Sequence, residues 1–201
     1  MSLKRIVITG GPCAGKTSAM EYLRGRLADA GMAAVFVPEA ATDLILAGTA
    51  PWTCASMLEF QTQVIALQLE RETAALEEAA SLGDALVICD RGVCDSHAYL
   101  SDGEYAAALA TNGLAEQDAL ARYDAIFHLE SVAVADEAAY TQANNGARFE
   151  NATEAALADK RTLDAWAAHS NLRIIANEAT FEAKARNLAD AIAGIWRVAG
   201  A

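Results

Sequence analysis

The stretch RIVITGGPCAGKTSAMEYL, residues 5–23, decides the fold. It starts as a β-branched run, turns at two glycines, and continues as a helical pattern with Met20, Leu23, Leu27 and Ala30 on one stripe, stopping at Gly31. Gly10, Gly15, Lys16 and Thr17 satisfy the spacing GxxxxGK[ST], with a strand before and a helix after, as a phosphate-binding loop requires. Glycine lets the backbone turn so that successive N–H groups point at phosphate oxygens, and the helix N-terminus adds partial positive charge. Lys16 can then reach the β- and γ-phosphates, and the Thr17 hydroxyl can ligate Mg2+. Gly10, Gly11, Pro12, Cys13, Ala14, Gly15, Lys16, Thr17 and Ser18 are the expected nucleotide cradle. The competing reading is a structural glycine-rich turn. Such a loop says that a nucleotide triphosphate or its product binds; a group acceptor has to be sought elsewhere.

Four further apolar runs alternate with helical patterns: AAVFVP (33–38), ALVICD (85–90), DAIFHL (124–129) and LRIIAN (172–177). Runs apolar on both faces imply an α/β fold, with a buried five-stranded parallel sheet and helices on either side. Residues 54–81 lack Pro and Gly, so a helix of about 28 residues, roughly 40 Å long, is expected from a cap at Thr53 to Gly83. Its Gln61, Val64, Gln68 and Arg71 share one face, which either lines a pocket or forms a partly solvated edge. The last helix is expected behind a cap at Thr180, with Phe181, Ala185, Leu188, Ile192 and Ile195 on one face. Residues 131–159 carry a turn signal at Asn144, Asn145 and Gly146 and only weak helical periodicity. They read as a mobile segment leading into a helix near Ala155 to His169. One domain over 1–201 is expected.

Charge narrows the function classes. Fifteen Lys and Arg against 27 Asp and Glu give a net charge of -12, which repels phosphate backbones and argues against nucleic acid or an anionic membrane as partner. A small anionic ligand is still allowed, because screening over about 8 Å lets a few local cations dominate a cleft. Cys13, Cys54, Cys89 and Cys94 show no metal-type spacing and read as reduced thiols of a cytoplasmic protein. The first strand begins too early for a signal peptide, and no apolar run reaches the roughly 18 residues of a membrane span.

In a doubly wound sheet ligands collect at the carboxyl ends of the strands, so the residues just after each apolar run are the candidates. Asp90 is placed as the acid that holds Mg2+ beside the loop, and Arg91 as the group that binds an acceptor or transferring phosphoryl oxygen; a surface turn is the alternative. Glu39 follows the second strand and is the best-placed carboxylate to accept a proton from an acceptor hydroxyl, or else an acid at a helix start. Asp95 is read as a cap of SHAYL or a second acceptor ligand. Arg148 and Arg161, and less so Lys160, could bring charge over the phosphates from the mobile segment and its helix, or be solvated surface. Trp52 and Phe60 could stack on a flat acceptor ring or pack in the core. His97, His128 and His169 have no ligand-like spacing and are assigned no chemistry.

VITGGPCAGKT, FVPEAATDLI, EFQTQVIALQLE, CDRGVCDSHAYL, YDAIFHL and ARFENATEAALADKRTLDAWAAHSNLRII together resemble the AAA-type P-loop family that groups the NadR-type nicotinamide-nucleotide kinase domain with TRPL-translocation-defect proteins. The resemblance spans nearly the whole chain. It implies a P-loop kinase-type three-layer α/β/α fold with sheet order 2-3-1-4-5 and a lid after the fourth strand. A more distant similarity is to deoxynucleoside kinases, and implies that Glu39 acts as base, that Phe60 and Gln61 meet a nucleobase, and that Asp90 and Arg91 bind metal and the 5′ position. Gly92 stands where thymidylate kinases carry an aromatic residue, which disfavours a nucleotide monophosphate acceptor. The expectation is ATP- and Mg2+-dependent phosphoryl transfer to a hydroxyl of a small nucleoside-like or nicotinamide-riboside-like acceptor. The alternative is a nucleotide-dependent regulatory switch or slow NTPase with no small-molecule acceptor.

Overall fold

The apolar runs become five strands: β1 (Leu3–Thr9), β2 (Ala33–Val37), β3 (Ala85–Asp90), β4 (Ala125–Leu129) and β5 (Leu172–Ile175). In this computed structural model, which describes residues 3–135 and 152–198, all four strand pairings are parallel and the order is β2-β3-β1-β4-β5. Parallel neighbours need crossovers, and those crossovers cover both faces of the sheet, so successive strand residues feed two different cores. Ile6, Ile8, Leu86, Ile88 and Phe127 pack with Leu23 and Leu27 of α1 (Lys16–Asp29) and Leu188 and Ile192 of α8 (Phe181–Val198). Val7, Val87, Cys89 and Ile126 point the other way, into a core shared with Ile65, Ala75 and Ala79 of α3 (Met57–Leu82) and with Trp166. The result is the expected three-layer P-loop NTPase architecture.

The connecting elements depart from expectation in instructive ways. The short helix read behind Glu39 forms as α2 (Ala40–Leu46), whereas α3 starts at Met57, not after Thr53. Ser56 accepts the Glu59 N–H at 3.1 Å while Glu59 takes the Ala55 N–H at 2.7 Å; Thr53 instead closes a turn, accepting from the Ala50 N–H at 2.8 Å. A 3₁₀ segment (Val93–Tyr99), α4 (Asp102–Thr111) and α5 (Glu116–Ala121) fill the stretch after β3, where the sequence suggested no more than a short helix at SHAYL. A four-residue α6 (Val132–Ala135) follows β4, and α7 spans Ala152–Asp164, three residues earlier at its start than the sequence suggested and ending five residues short of His169. Ala30 is exposed, so the α1 stripe ends at Leu27, and Thr180 caps α8 by accepting the Ala183 N–H at 3.2 Å. The four cysteines form no disulfide. Among the described residues no helix is long and apolar enough to cross a membrane.

Candidate functional site

Parallel register brings the phosphate loop and the post-β3 turn together. Ile8 pairs with Asp90, so Thr9 and Gly10 leave β1 where Arg91 leaves β3, and the Arg91 N–H donates to the Ile8 carbonyl at 3.0 Å. Between β1 and α1 the loop uses left-handed or otherwise glycine-favouring backbone at Gly10 (φ 143°), Cys13 (φ 58°) and Gly15 (φ 85°). Its outer surface is held from three directions. Asp159 of α7 accepts the Gly11 N–H at 2.7 Å, the Ser131 hydroxyl donates to the Pro12 carbonyl at 2.5 Å, and the buried Lys184 ammonium donates to the Ala14 carbonyl at 3.1 Å. A Cβ on Gly11 would lie 2.6 Å from the Asp159 backbone, so only glycine admits α7 that close. Lys16 donates to the Gly10 and Gly11 carbonyls at 2.8 and 3.2 Å. Burial and the Arg91 charge lower its pKa to about 8, against the opposing pull of Glu39, Asp90 and Asp95. Thr17 and Ser18 are exposed on the first turn of α1.

β2 ends at Val37, opposite Cys89, which carries Glu39 to the level of Arg91 two residues on. The Arg91 guanidinium donates from Nε to Glu39 Oε1 at 2.6 Å and from Nη1 to Asp95 Oδ1 at 3.0 Å. Burial opposes the Arg91 charge, but Tyr99, Asp95 and Glu39 hold it protonated beyond its ordinary value. For Glu39 burial alone would raise the pKa; Arg91 and the Thr42 hydroxyl, which donates at 2.7 Å, bring it below the usual carboxylate value. Asp95 is not the cap of SHAYL. It is buried inside the 3₁₀ segment and accepts from the Gly92 N–H at 2.9 Å, from Trp166 Nε1 at 3.2 Å and from the Thr9 hydroxyl. Asp90 differs from both. Burial and the Glu39 charge push its carboxyl up to about 6, and its buried Oδ1 has no hydrogen-bond partner among the described residues. A buried carboxylate oxygen left unbonded is costly unless something else takes it, and a hard divalent cation held by oxygen ligands fits that need.

Beside Arg91 lies a cavity of about 240 Å³, walled mainly by apolar side chains of α2 and α3 and bounded by Glu39, Gln61, Gln68 and Asp95. Phe60 lines it and Trp52, 77% exposed, does not. Gln61, Val64 and Gln68 face it, whereas Arg71 turns away to Asp43 at 2.6 Å. A second, more polar cavity of about 470 Å³ opens across Tyr99, which borders both. Arg161 is exposed on α7 and lines this second space with His97, Asp102 and Asp164; Lys160 pairs outward with Asp164 at 2.5 Å. Arg148 lies outside the described residues.

A family model described as an AAA domain matches residues 5–184, from the third residue of β1 to the lysine that holds Ala14. The chain belongs to the AAA-domain family. No curated protein matches it. Within this AAA domain several residues around the cleft escaped the sequence reading. Asp159, Lys184, Ser131 and Trp166 are each a single polar or aromatic residue on an otherwise ordinary helix or turn, and the loop residues and Asp95 that they hold lie at least 71 residues away in sequence. Glu72 is wholly buried on α3 and takes hydrogen bonds from Arg5, Arg122, Tyr123 and Gln68. A charged residue on the apolar stripe of a long helix was the one available signal for it. His128 contacts Asp159 at 3.2 Å inside the core, a structural pairing that gives it no place in the cleft.

Proposed function

We propose that the protein transfers a phosphoryl group from ATP to a hydroxyl of a small nucleoside-like acceptor, within one domain. The observation that carries this reading is the mostly apolar cavity that meets the Glu39–Arg91 pair on the side of the sheet edge where the phosphate loop lies. An NTPase that uses water alone has no need of a pocket shaped for an organic ring next to its charged groups.

In this reading the backbone N–H groups of residues 13–18 and the Lys16 ammonium bind the donor phosphates, Gly11 giving its N–H to Asp159 instead. Thr17 and Asp90 would hold Mg2+, which when bound neutralises charge on the β- and γ-phosphates. A pKa near 8 leaves Lys16 protonated at neutral pH, with less competing hydration than an exposed lysine has. The depressed pKa of Glu39 keeps it ionised, able to orient an acceptor hydroxyl and take its proton as the oxygen is phosphorylated. Arg91 has its Nε and Nη1 spent on Glu39 and Asp95, which fixes the plane of the guanidinium and leaves its remaining N–H groups for a phosphoryl or acceptor oxygen. Phe60 offers an apolar wall and Gln61 an amide to a flat acceptor ring. Arg161, facing the second cavity, suits the far end of an acceptor that reaches past Tyr99 better than the phosphates.

A thermal-shift screen of nucleosides and ribosides in the presence of ADP and Mg2+ tests the acceptor half. A true acceptor at a hundred times its dissociation constant adds about 2.7 kcal/mol of stability by mass action. No shift beyond that of ADP and Mg2+ with any member of the panel counts against a nucleoside-like acceptor.

A further inference from the structure

We propose that Gln68, anchored by the buried carboxylate of Glu72, is a positioning residue that holds the Arg91 backbone in the conformation that aims its guanidinium at Glu39. Arg91 is one of two non-glycine residues with positive φ among the described residues, at 66°, a region that side chains with a Cβ avoid. Something must hold it there. Its N–H is spent on the Ile8 carbonyl, and its own carbonyl accepts from Gln68 Nε2 at 3.2 Å. The same amide nitrogen donates to Glu72 Oε1 at 3.0 Å. Both Gln68 donors are therefore used, and the reversed amide would set its oxygen against a carboxylate and a carbonyl, so the orientation is determined by its surroundings.

Glu72 reaches the same turn by a second route. Tyr123 donates its hydroxyl to Glu72 Oε1 at 2.6 Å and accepts the Val93 N–H at 2.9 Å. Burial and the Glu72 charge keep that phenol protonated, so it acts as donor to the carboxylate. Glu72 itself is fixed by Arg5 and Arg122, each at 2.9 Å. One buried carboxylate thus holds both ends of the Arg91–Val93 turn, through Gln68 at the start and Tyr123 at the end. Gln68 is 2% exposed yet borders the cavity beside Arg91, so a ligand there lies against the same side chain that fixes the turn.

The geometric claim stands on these contacts, and its consequence for turnover rests on the phosphotransfer reading above. The test is hydrogen exchange of the Arg91 Nε–H by NMR on the full chain, assigned by its loss in Arg91→Lys. In the wild type that proton is held by Glu39 and exchanges slowly. Gln68→Met keeps the volume and removes both donors; losing a hydrogen bond of ordinary strength should speed Arg91 exchange about tenfold. Tyr123→Phe cuts the second route with the ring still packed and should move the same signal in the same direction, which keeps the test decisive if Gln68→Met does not fold. Leu76→Ala, a packing loss on α3 outside the chain of contacts, should leave it unchanged. Unaltered Arg91 exchange in the folded variants, or an equal rise in Leu76→Ala, overturns the proposal. Acceptor-dependent ADP release by the wild type is measured alongside: its absence removes the phosphotransfer reading while the exchange result still decides the positioning role.

Discussion

At the residue scale the cleft divides its carboxylates by environment. Glu39 and Asp95 are tied to Arg91, whereas Asp90 has one buried oxygen without a hydrogen-bond partner among the described residues and a carboxyl pushed up to about 6 from 3.8. That shift carries a stability signature in buffer free of divalent cations. Between about pH 4 and pH 6 the folded protein keeps a proton that the unfolded chain has lost, so this group's contribution falls as pH rises and the penalty is complete above the folded pKa. Asp90→Asn removes the penalty. Its urea midpoint should exceed that of the wild type at pH 7, and the difference should shrink toward pH 4. A gap that does not change with pH would show that the carboxyl titrates as an ordinary aspartate. The residue types at the strand ends were legible in the sequence; how each is solvated was not, because that depends on neighbours from other strands.

At the element scale α7 is the least expected contributor. The sequence pointed to a helix there and to Arg161 as its working residue, yet the contacts to the cleft come from Asp159, which holds Gly11, and from Trp166 just beyond the helix end, which donates to Asp95. Asp159→Ala leaves the buried Gly11 N–H and the buried His128 without this partner. The expected loss is about 2 kcal/mol in denaturant unfolding, with weaker ADP binding by titration because the loop loses its outer support. Lys160→Ala breaks only an exposed pair and should change stability by less than about 1 kcal/mol and leave ADP affinity alone. Equal ADP affinity in Asp159→Ala and wild type would mean that the loop holds its shape without α7. Strands and the long helix were legible because their apolar periods repeat over many residues. Cap positions were less so: Thr53 and Ser56 are both good caps by type, and Glu59 three residues after Ser56 was the deciding cue. Likewise Ser101 and Glu104 have capping-box spacing, and their contacts at the start of α4 mark an element that the sequence reading passed over.

At the scale of the whole molecule, the parallel order β2-β3-β1-β4-β5 sets β3 between β1 and β2, and this single fact assembles the cleft. The ends of three strands contribute the loop from β1, Glu39 from β2, and Asp90 with Arg91 from β3. Strand-end logic applied to the sequence therefore named the residues that the sheet order brings side by side. Their supports were not recoverable, since Glu72, Asp159 and Lys184 matter only through partners that the fold alone brings near. An acidic chain with net charge -12 brings Lys16 and Arg91 together at these strand ends, among Glu39, Asp90 and Asp95. The most direct measurement of the central claim is ADP release from ATP and Mg2+ with and without a panel of nucleosides and ribosides, for the wild type and Glu39→Gln. The account predicts ADP release that depends on one acceptor class, and a loss of at least about a hundredfold in Glu39→Gln with nucleotide affinity retained. ADP release that stays at its acceptor-free level across the panel, or that Glu39→Gln leaves unchanged, would contradict it.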